Sequence, residues 1–277
     1  MAVSYLLALL DARPSGPPWS ADWLSGVLAE QLHARIARAA EGGTTHRLRG
    51  WSVGSVIGNE TFVQARPIVR DPNNEPIEDV LRTPAHCTIA SFQAGTDDER
   101  FAESNPSIRM ARFRRWVGVR SEPELDADTR RRIQAEIPDF LGRSQTLGND
   151  GELVFLRFLA ALHAEGALGG HYASPDAVRR ALKITESLLG PGPINFMVAD
   201  GRTVGVIHRG GTMLAIAPPN PGGRALKSDE EARVPWRGNL LWFDPGPPPE
   251  TPPPGAERIA EGIFTIECLR PHTLHRD

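Results

Sequence analysis

The sequence predicts an α/β fold of mainly antiparallel sheets covered by helices, and three observations carry that reading. Apolar strand patterns come in pairs joined by turn residues, at Gly58-Asn59 and at Asp200-Gly201, the second being among the better hairpin signals in a single sequence. Two strongly patterned helices, over 152–166 and 175–189, are grouped together with no strand pattern between them. Strands and helices therefore do not alternate regularly. Neither G-x-G-x-x-G nor G-x-x-x-x-G-K-[ST] follows a strand, so a Rossmann-like or P-loop fold lacks its main signals.

The elements follow in chain order. Residues 1–11 form an apolar run without a positively charged leader, ended early by Asp11, and read as a buried strand. After Pro14, Pro17 and Pro18, the spacing of Leu24, Val27, Leu28, Leu32 and Ile36 predicts a helix over 21–40, stopped by Gly42-Gly43. Val53, Val56, Phe62 and Val63 alternate in the strand manner on either side of Gly58-Asn59, giving a hairpin over 51–70. A short helix over 77–81 leads to a strand from His86 to Phe92, and the polar, acidic stretch from Gln93 to Asn105 reads as an exposed loop. A strand follows around Arg112 to Val119, then helical spacings from Asp126 to Phe140.

Leu153, Phe155, Leu156, Phe158, Leu159 and Leu162 predict a helix buried on more than one side. The next helix has Ser174 as N-cap, Pro175 at its first position and Gly190-Pro191-Gly192-Pro193 at its end. Strands are expected at 194–199, 203–208, 213–216, 239–243 and 262–268. Residues 245–254 are too proline-rich to pair in a sheet and read as a polyproline-like surface loop.

Composition narrows the function classes. With 40% hydrophobic and 23% charged residues and a net charge of −3, the chain is of ordinary globular type, and no charge excess points to nucleic acid or to anionic lipid. Its 277 residues fit either one large core or two tightly joined lobes, and the chain is read as a single domain spanning 1–277. No run of about 18 apolar residues occurs, so a membrane span is not expected. Cys87 and Cys268 are far apart and lack a C-x-x-C spacing, which fits a reducing, cytoplasmic compartment. No cofactor or metal is expected; His272-x-x-His275 is the nearest approach to ligand spacing and reads as part of a flexible tail.

Several segments, in order, resemble landmarks of the class II glutamine amidotransferases, a family of N-terminal-nucleophile hydrolases. Arg49-Gly50-Trp51-Ser52-Val53-Gly54 resembles D-G-W-G-I-G, and Ala85-His86-Cys87-Thr88-Ile89-Ala90-Ser91 resembles A-H-V-R-x-A-T. Ser104-Asn105-Pro106 with Trp116-Val117-Gly118-Val119 is similar to N-x-H-P-F and W-x-F-x-H-N-G. Gly148-Asn149-Asp150-Gly151-Glu152 is similar to a T-D-S-E helix start, and the hairpin at Phe196–Gly201 and the strand at Ile259–Glu267 resemble later landmarks. Each motif is degenerate; their shared order carries the likeness. The resemblance implies a four-layer α/β/β/α sandwich.

It also implies where chemistry would sit. In the family the nucleophile is an N-terminal Cys whose own α-amine, with a pKa near 8, acts as base. The matching position here is Ala2, which has a methyl group where a thiol is needed. The arginine that would pair with the glutamine carboxylate is matched by Thr88, and the Asn-Gly oxyanion donors fall around Arg120-Ser121-Glu122. Only the acidic residue for the substrate ammonium is kept, as Asp150. Ala2, Thr88, Arg120, Ser121 and Asp150 are therefore the expected remnant pocket, with no catalytic residue among them.

Each of these residues also has a plain structural reading. Asn149 or Asp150 suits the helix N-cap; Arg120 either turns into the vacated pocket or is a solvated loop arginine. Trp51 and Trp116 read as core, Ser4 as a strand residue, and Arg109, Arg112, Arg114 and Arg115 either as a solvated face or as a docking surface for an acidic partner. The resemblance implies a catalytically silent protein serving as scaffold, regulatory subunit or small-molecule binder, with a protein partner or a second copy. The alternative is an amide hydrolase or amidotransferase using other pocket residues, such as His86, Asp150 and Glu152.

Overall fold

The structure, a computed structural model, describes residues 3–10, 46–57, 60–67, 87–96, 110–121, 124–170, 172–216, 240–244, 246, 252, 255–267 and 274–276. Ala2, the expected helices over 21–40 and 77–81, His86, Arg109, Cys268, His272 and nearly all of 245–254 lie outside them.

The strands are β1 (Val3–Leu10), β2 (His46–Ile57), β3 (Glu60–Pro67), β4 (Cys87–Thr96), β5 (Ala111–Phe113) and β6 (Trp116–Arg120), then β7 (Ile194–Ala199), β8 (Thr203–Arg209), β9 (Thr212–Ile216), β10 (Leu240–Asp244), β11 (Ala256–Ile259), β12 (Gly262–Glu267) and β13 (Leu274–Arg276). Between β6 and β7 come α1 (Ala127–Ala135), α2 (Asp139–Gly142), α3 (Asp150–Ala164) and α4 (Pro175–Glu186). One sheet has the order β11-β9-β10-β1-β4-β2-β3 and the other β13-β12-β8-β7-β6-β5. All the described pairings are antiparallel. The apolar run at the chain start becomes β1, in the middle of the seven-stranded sheet between β10 and β4.

The sheets face each other across one core. Leu6, Ala8, Cys87, Ile89, Leu241 and Phe243 from the seven-stranded sheet pack with Val117, Val119, Met197, Val204, Val206 and Phe264 from the six-stranded sheet. Gly54 marks a close approach between them, since a Cβ there would lie 2.4 Å from Met110 Sδ and 2.9 Å from Val117 Cγ1. Alternation then turns Trp116, Phe196, Val198 and Ile207 to the opposite face of the six-stranded sheet, against α3 and α4.

Those helices form where local chemistry starts them. Asn149 caps α3 by accepting from Glu152 N, and every residue from Glu152 to Leu162 is buried. Ser174 caps α4 with Pro175 following, and Ala177, Val178, Ala181, Leu182 and Thr185 form its buried stripe. Glycines let both helices sit close: a Cβ on Gly118 would lie 2.4 Å from Phe155 of α3, and one on Gly205 would lie 2.7 Å from Val178 and 2.9 Å from Leu182 of α4. Three layers are thus described: helices, six-stranded sheet, seven-stranded sheet. On the outer face of the seven-stranded sheet, Trp51, Phe92 and Trp242 are also nearly inaccessible. Trp116 packs edge-on to Phe158 at 5.2 Å, so both tryptophans read as core are core.

Four details differ from the sequence reading. The expected strand over 112–119 is a hairpin, turning at Arg114 with φ 52°. The helical stretch over 126–140 is split before α2 by Pro138, which cannot donate to a continuing helix. β4 runs on to Thr96, so Gln93 lies in a strand and is buried instead of opening a loop. Near the C-terminus, β11 was not foreseen, and His275, read as tail, pairs with Thr265 in the edge strand β13.

Candidate functional site

The expected remnant pocket does not assemble from the residues proposed for it. β1 and β4 pair with Val3 opposite Ala94 and Leu9 opposite Thr88, which puts Thr88 about 20 Å along the strand from the start of β1 at roughly 3.3 Å per residue. Thr88 also lies on the outer face, because its neighbours Cys87 and Ile89 fill the inter-sheet core; its Oγ1 is 3.2 Å from Ser55 Oγ. Cys87, opposite Leu10, is a buried free thiol at that same far end.

Arg120 is buried on the helix-facing side, two residues beyond Gly118 on β6, so it neither enters the inter-sheet space nor sits in solvent. Asp150 belongs to the helix layer and is engaged there: Oδ2 accepts from Leu125 N at 2.7 Å, and Oδ1 pairs with Arg130 at 2.8–2.9 Å. Asn149 is the N-cap. Glu152, proposed beside Asp150 for an alternative chemistry, accepts from Thr146 N and Oγ1, Leu147 N and Gly148 N, which occupies both carboxylate oxygens. Of the expected set, Ser121 faces the inter-sheet space, and Thr88, Arg120 and Asp150 do not converge with it.

A different polar constellation does converge, at the end of the sandwich where β1 begins. In the six-stranded sheet, Arg120 pairs with Phe196 and Asn195 with His208, so Ser121, Asn195 and His208 form the next row, on the side of Val119, Met197 and Val206. His208 meets Phe243 edge-on with ring centroids 6.2 Å apart. In the seven-stranded sheet, Phe243 shares its row with Leu6, Ser91 and Ser52, and Gln93 lies in the row beyond. Ser52, Ser91 and Gln93 are all buried, and Ser91 Oγ and Gln93 Oε1 have no hydrogen-bond partner among the described residues. An orphaned buried acceptor is costly unless something else occupies the space beside it.

The Asn195–His208 pair has a defined protonation pattern. Asn195 Nδ2 donates to the carbonyls of Arg209 at 3.3 Å and Gly210 at 3.0 Å, which turns Oδ1 toward His208 Nδ1 at 2.6 Å. An amide oxygen only accepts, so Nδ1 carries the proton, and the neutral ring presents a lone pair at Nε2. Burial holds the His208 pKa below its ordinary value, with Glu261 opposing and Arg258 reinforcing the shift. Ser121 ties in at the other end of the row: its N donates to Asn195 O at 2.8 Å, and its Oγ approaches the same oxygen at 3.4 Å.

The sign of the pH effect follows. Unfolded, the imidazole binds a proton below about 6.5; folded, it resists until lower pH. Stability is therefore full above about 6.5 and falls as the pH drops toward the lowered folded value, by at most about 1.4 kcal/mol per pH unit. We expect His208→Gln, which keeps a donor for Asn195, to remove this part of the slope in urea titrations run between pH 7 and 5. An unchanged slope would show that His208 titrates alike in both states.

Chemically, the row offers hydrogen-bond donors and acceptors and a neutral base, without a nucleophile paired to it: among the described residues, the only hydrogen bond of His208's ring is the one it donates to Asn195 Oδ1. None of the described residues in these rows carries a fixed positive charge to hold a carboxylate, and Arg258 of β11 acts on His208 from outside them. No cluster of three or more His, Cys, Asp or Glu residues suited to a metal occurs among the described residues, and no helix among them is long and apolar enough to cross a membrane. Gln93 was missed because a lone glutamine before Ala-Gly-Thr looks like loop. Asn195 and His208 each sit in a strand pattern without a motif, and only pairing brings them together.

No protein-family model matches the chain, and no curated protein matches it. Among solved structures, a glutamine aminotransferase class-II domain protein from Silicibacter pomeroyi is similar over 98% of this chain and 98% of its own, at 11% identity and a TM-score of 0.50. Glutamine phosphoribosylpyrophosphate amidotransferase from B. subtilis, complexed with ADP and GMP, is similar over 99% of this chain and 49% of its own, at 10% identity and a TM-score of 0.49. A predicted glutamine amidotransferase from Pseudomonas aeruginosa covers 98% of this chain and 95% of its own, at 13% identity and a TM-score of 0.40. At such identities the first of these shows the fold alone: a mixed α/β fold with antiparallel sheets, of the kind found in class II glutamine amidotransferase domains.

Proposed function

We propose that this chain is a catalytically silent glutamine amidotransferase-like protein, a single domain over 1–277. In this reading the β1 end of its inter-sheet space holds a small uncharged polar ligand, and the chain acts as a regulatory or scaffold subunit. The observation that carries it is the pair of buried, unpartnered groups, Ser91 Oγ and Gln93 Oε1, in an inter-sheet space whose opposite wall carries Ser121, Asn195 and His208. The ligand class follows from the lining. Serine hydroxyls, two amides and a neutral imidazole match a primary amide or a polyol, whereas a zwitterion would leave its carboxylate without a counter-charge.

Silence rests on Ala2, the residue that stands where the family nucleophile would be. The four-layer arrangement belongs to this proposal too, supported by the burial of Trp51, Phe92 and Trp242 on the outer face of the seven-stranded sheet.

Two measurements test the reading. Ammonia release from glutamine should stay at background for the native protein and for Ala2→Cys, because a thiol alone lacks a carboxylate anchor and oxyanion donors, each single donor being worth about a hundredfold or more in rate. Turnover of glutamine by the native protein would overturn the silent reading; turnover by Ala2→Cys alone would show the pocket otherwise intact. Millimolar propionamide or glycerol should raise the melting temperature of the native protein and leave Gln93→Leu unmoved. A rise with glutamine and not with the neutral probes would reject the ligand class.

A further inference from the structure

A second site lies at the edge of the six-stranded sheet, where two turns meet. The β5–β6 turn brings Arg114 and Arg115, and the β7–β8 turn brings Asp200, Gly201 and Arg202; Val117 opposite Ala199 places both turns at the same end. Tyr172 stands between them. The guanidinium of Arg115 lies 5.2 Å, and that of Arg202 5.4 Å, from the centre of its ring, which is 39% exposed with the rest of the residue. Stacking of this kind holds long side chains in place before any partner arrives. Arg114 adds a third cation, over the Phe113 ring at 5.4 Å, and Arg112, exposed on the other face of β5 beside Val117, a fourth.

The local negative charge does not balance these four. Asp200 is fully buried, and its carboxylate is used by the backbone: Oδ1 accepts from Arg202 N at 3.0 Å and Thr203 N at 2.8 Å, and Oδ2 from Ala173 N at 3.4 Å. Burial pushes its pKa up against those hydrogen bonds, so its charge is the more weakly held. Arg115 Nε is 3.9 Å from Oδ2, an ion pair too long for a hydrogen bond, and Arg115 Nε and Nη2 have no hydrogen-bond partner among the described residues. Glu267 lies in register with Thr203 at the same end and contributes one more carboxylate. In a chain whose net charge is −3, the described residues set four arginines here against the buried Asp200 and Glu267, with Asp176 of α4 paired to Arg179, which is a local inversion of sign among them.

We infer that the surface formed by Arg112, Arg114, Arg115, Tyr172 and Arg202 docks an acidic segment of a partner protein. The spread of the charges decides the class. They run from the edge strand across two adjacent turns, wider than one phosphate or carboxylate and suited to several side-chain carboxylates in sequence. Arginine with an exposed aromatic is also the composition that dominates the binding energy of protein interfaces, and the remaining surface of an acidic chain repels such a partner, which directs it to this patch.

The test uses the full chain and a fluorescently labelled peptide of twelve alternating glutamate and glycine residues, followed by anisotropy at low salt. Binding is expected, weakened about tenfold or more by Arg112→Glu or Arg202→Glu and by raising the salt to 0.5 M. Arg131→Glu, an exposed arginine on α1 outside the patch, should leave the affinity within about twofold. Circular dichroism of each variant confirms folding, and Arg114→Glu serves if Arg202→Glu fails to fold. Equal loss with Arg131→Glu, no loss with the patch variants, or no binding at all would overturn the proposal. Tighter binding of a DNA duplex of matched charge through the same arginines would overturn it in favour of a nucleic-acid surface.

Discussion

Replacing Glu152 with alanine should cost about 3 kcal/mol of unfolding free energy, the largest effect expected from any single polar side chain in the helix layer. Glu152 stands three residues after the N-cap Asn149, and the two exchange the contacts of a capping box extended by one turn of loop. Asn149 Oδ1 receives Glu152 N at 2.8 Å, while the Glu152 carboxylate gathers the N–H groups of Thr146, Leu147 and Gly148 at 2.7–2.8 Å. The side chain is buried, while Thr146 and Gly148 are themselves exposed, so water can take over only part of these donors. Alanine strands three backbone N–H groups and the Thr146 hydroxyl, and some of that cost is relieved when the loop opens to solvent. Glu152→Gln keeps one oxygen and should lose roughly half as much. Urea denaturation of the three proteins checks the order; a loss under about 1 kcal/mol for alanine would mean that the loop is already solvated. The same geometry explains why Glu152 is unsuited to acid–base chemistry: its oxygens hold the chain together.

Gly118→Val should be at least as damaging, by about 3 kcal/mol or more. Gly118 lies in β6 opposite Val198, under the middle of α3, and even a Cβ there would meet Phe155 Cδ2 at 2.4 Å and Cε2 at 3.0 Å. Phe155 is fully buried and hemmed in by the helix-layer core, so its ring cannot swing away without opening that core. The clash predicts its own relief. Paired with Phe155→Leu, Gly118→Val should cost less than the sum of the two single changes, with a coupling of about 1 kcal/mol or more. Additive costs in thermal or urea melts would show that the strand yields instead of the ring.

Much of the architecture is legible in particular residues. Asp200-Gly201 announces its hairpin because the aspartate oxygen can take the N–H groups of Arg202 and Thr203, two and three residues on, and the intervening Gly201 accepts φ 86°. Ser174-Pro175 starts α4 for equally local reasons. Pro138 and Arg114 show where such reading falls short. A proline within a helical pattern breaks it, but the pattern of charges on either side masks the break. A turn at Arg114 is nearly invisible, since a non-glycine residue at positive φ gives no signal in sequence.

The site is less legible than the fold. The resemblance leads to Thr88, Arg120 and Asp150, yet pairing places Thr88 on the outer face, Arg120 toward the helices and Asp150 at the start of α3. Ser121 is the described member of that set that faces the space between the sheets. Gln93, Asn195 and His208 carry no motif, and their chemistry exists only because neighbouring strands bring them into a buried row.

By itself the sequence determined most of the described strands, helices and caps and the hairpin turn at Asp200-Gly201, and the methyl group of Ala2 where the resemblance calls for a thiol. These depend on dihedral preferences and side-chain periods within a few residues. Tertiary structure alone decided which polar groups meet. Strand side chains alternate with a period of two, so a one-residue change of register would carry Gln93, Asn195 or His208 from the inter-sheet space to the opposite face. Register is set by contacts between residues far apart in the chain, such as Val3 with Ala94 and Asn195 with His208, and no local pattern encodes it.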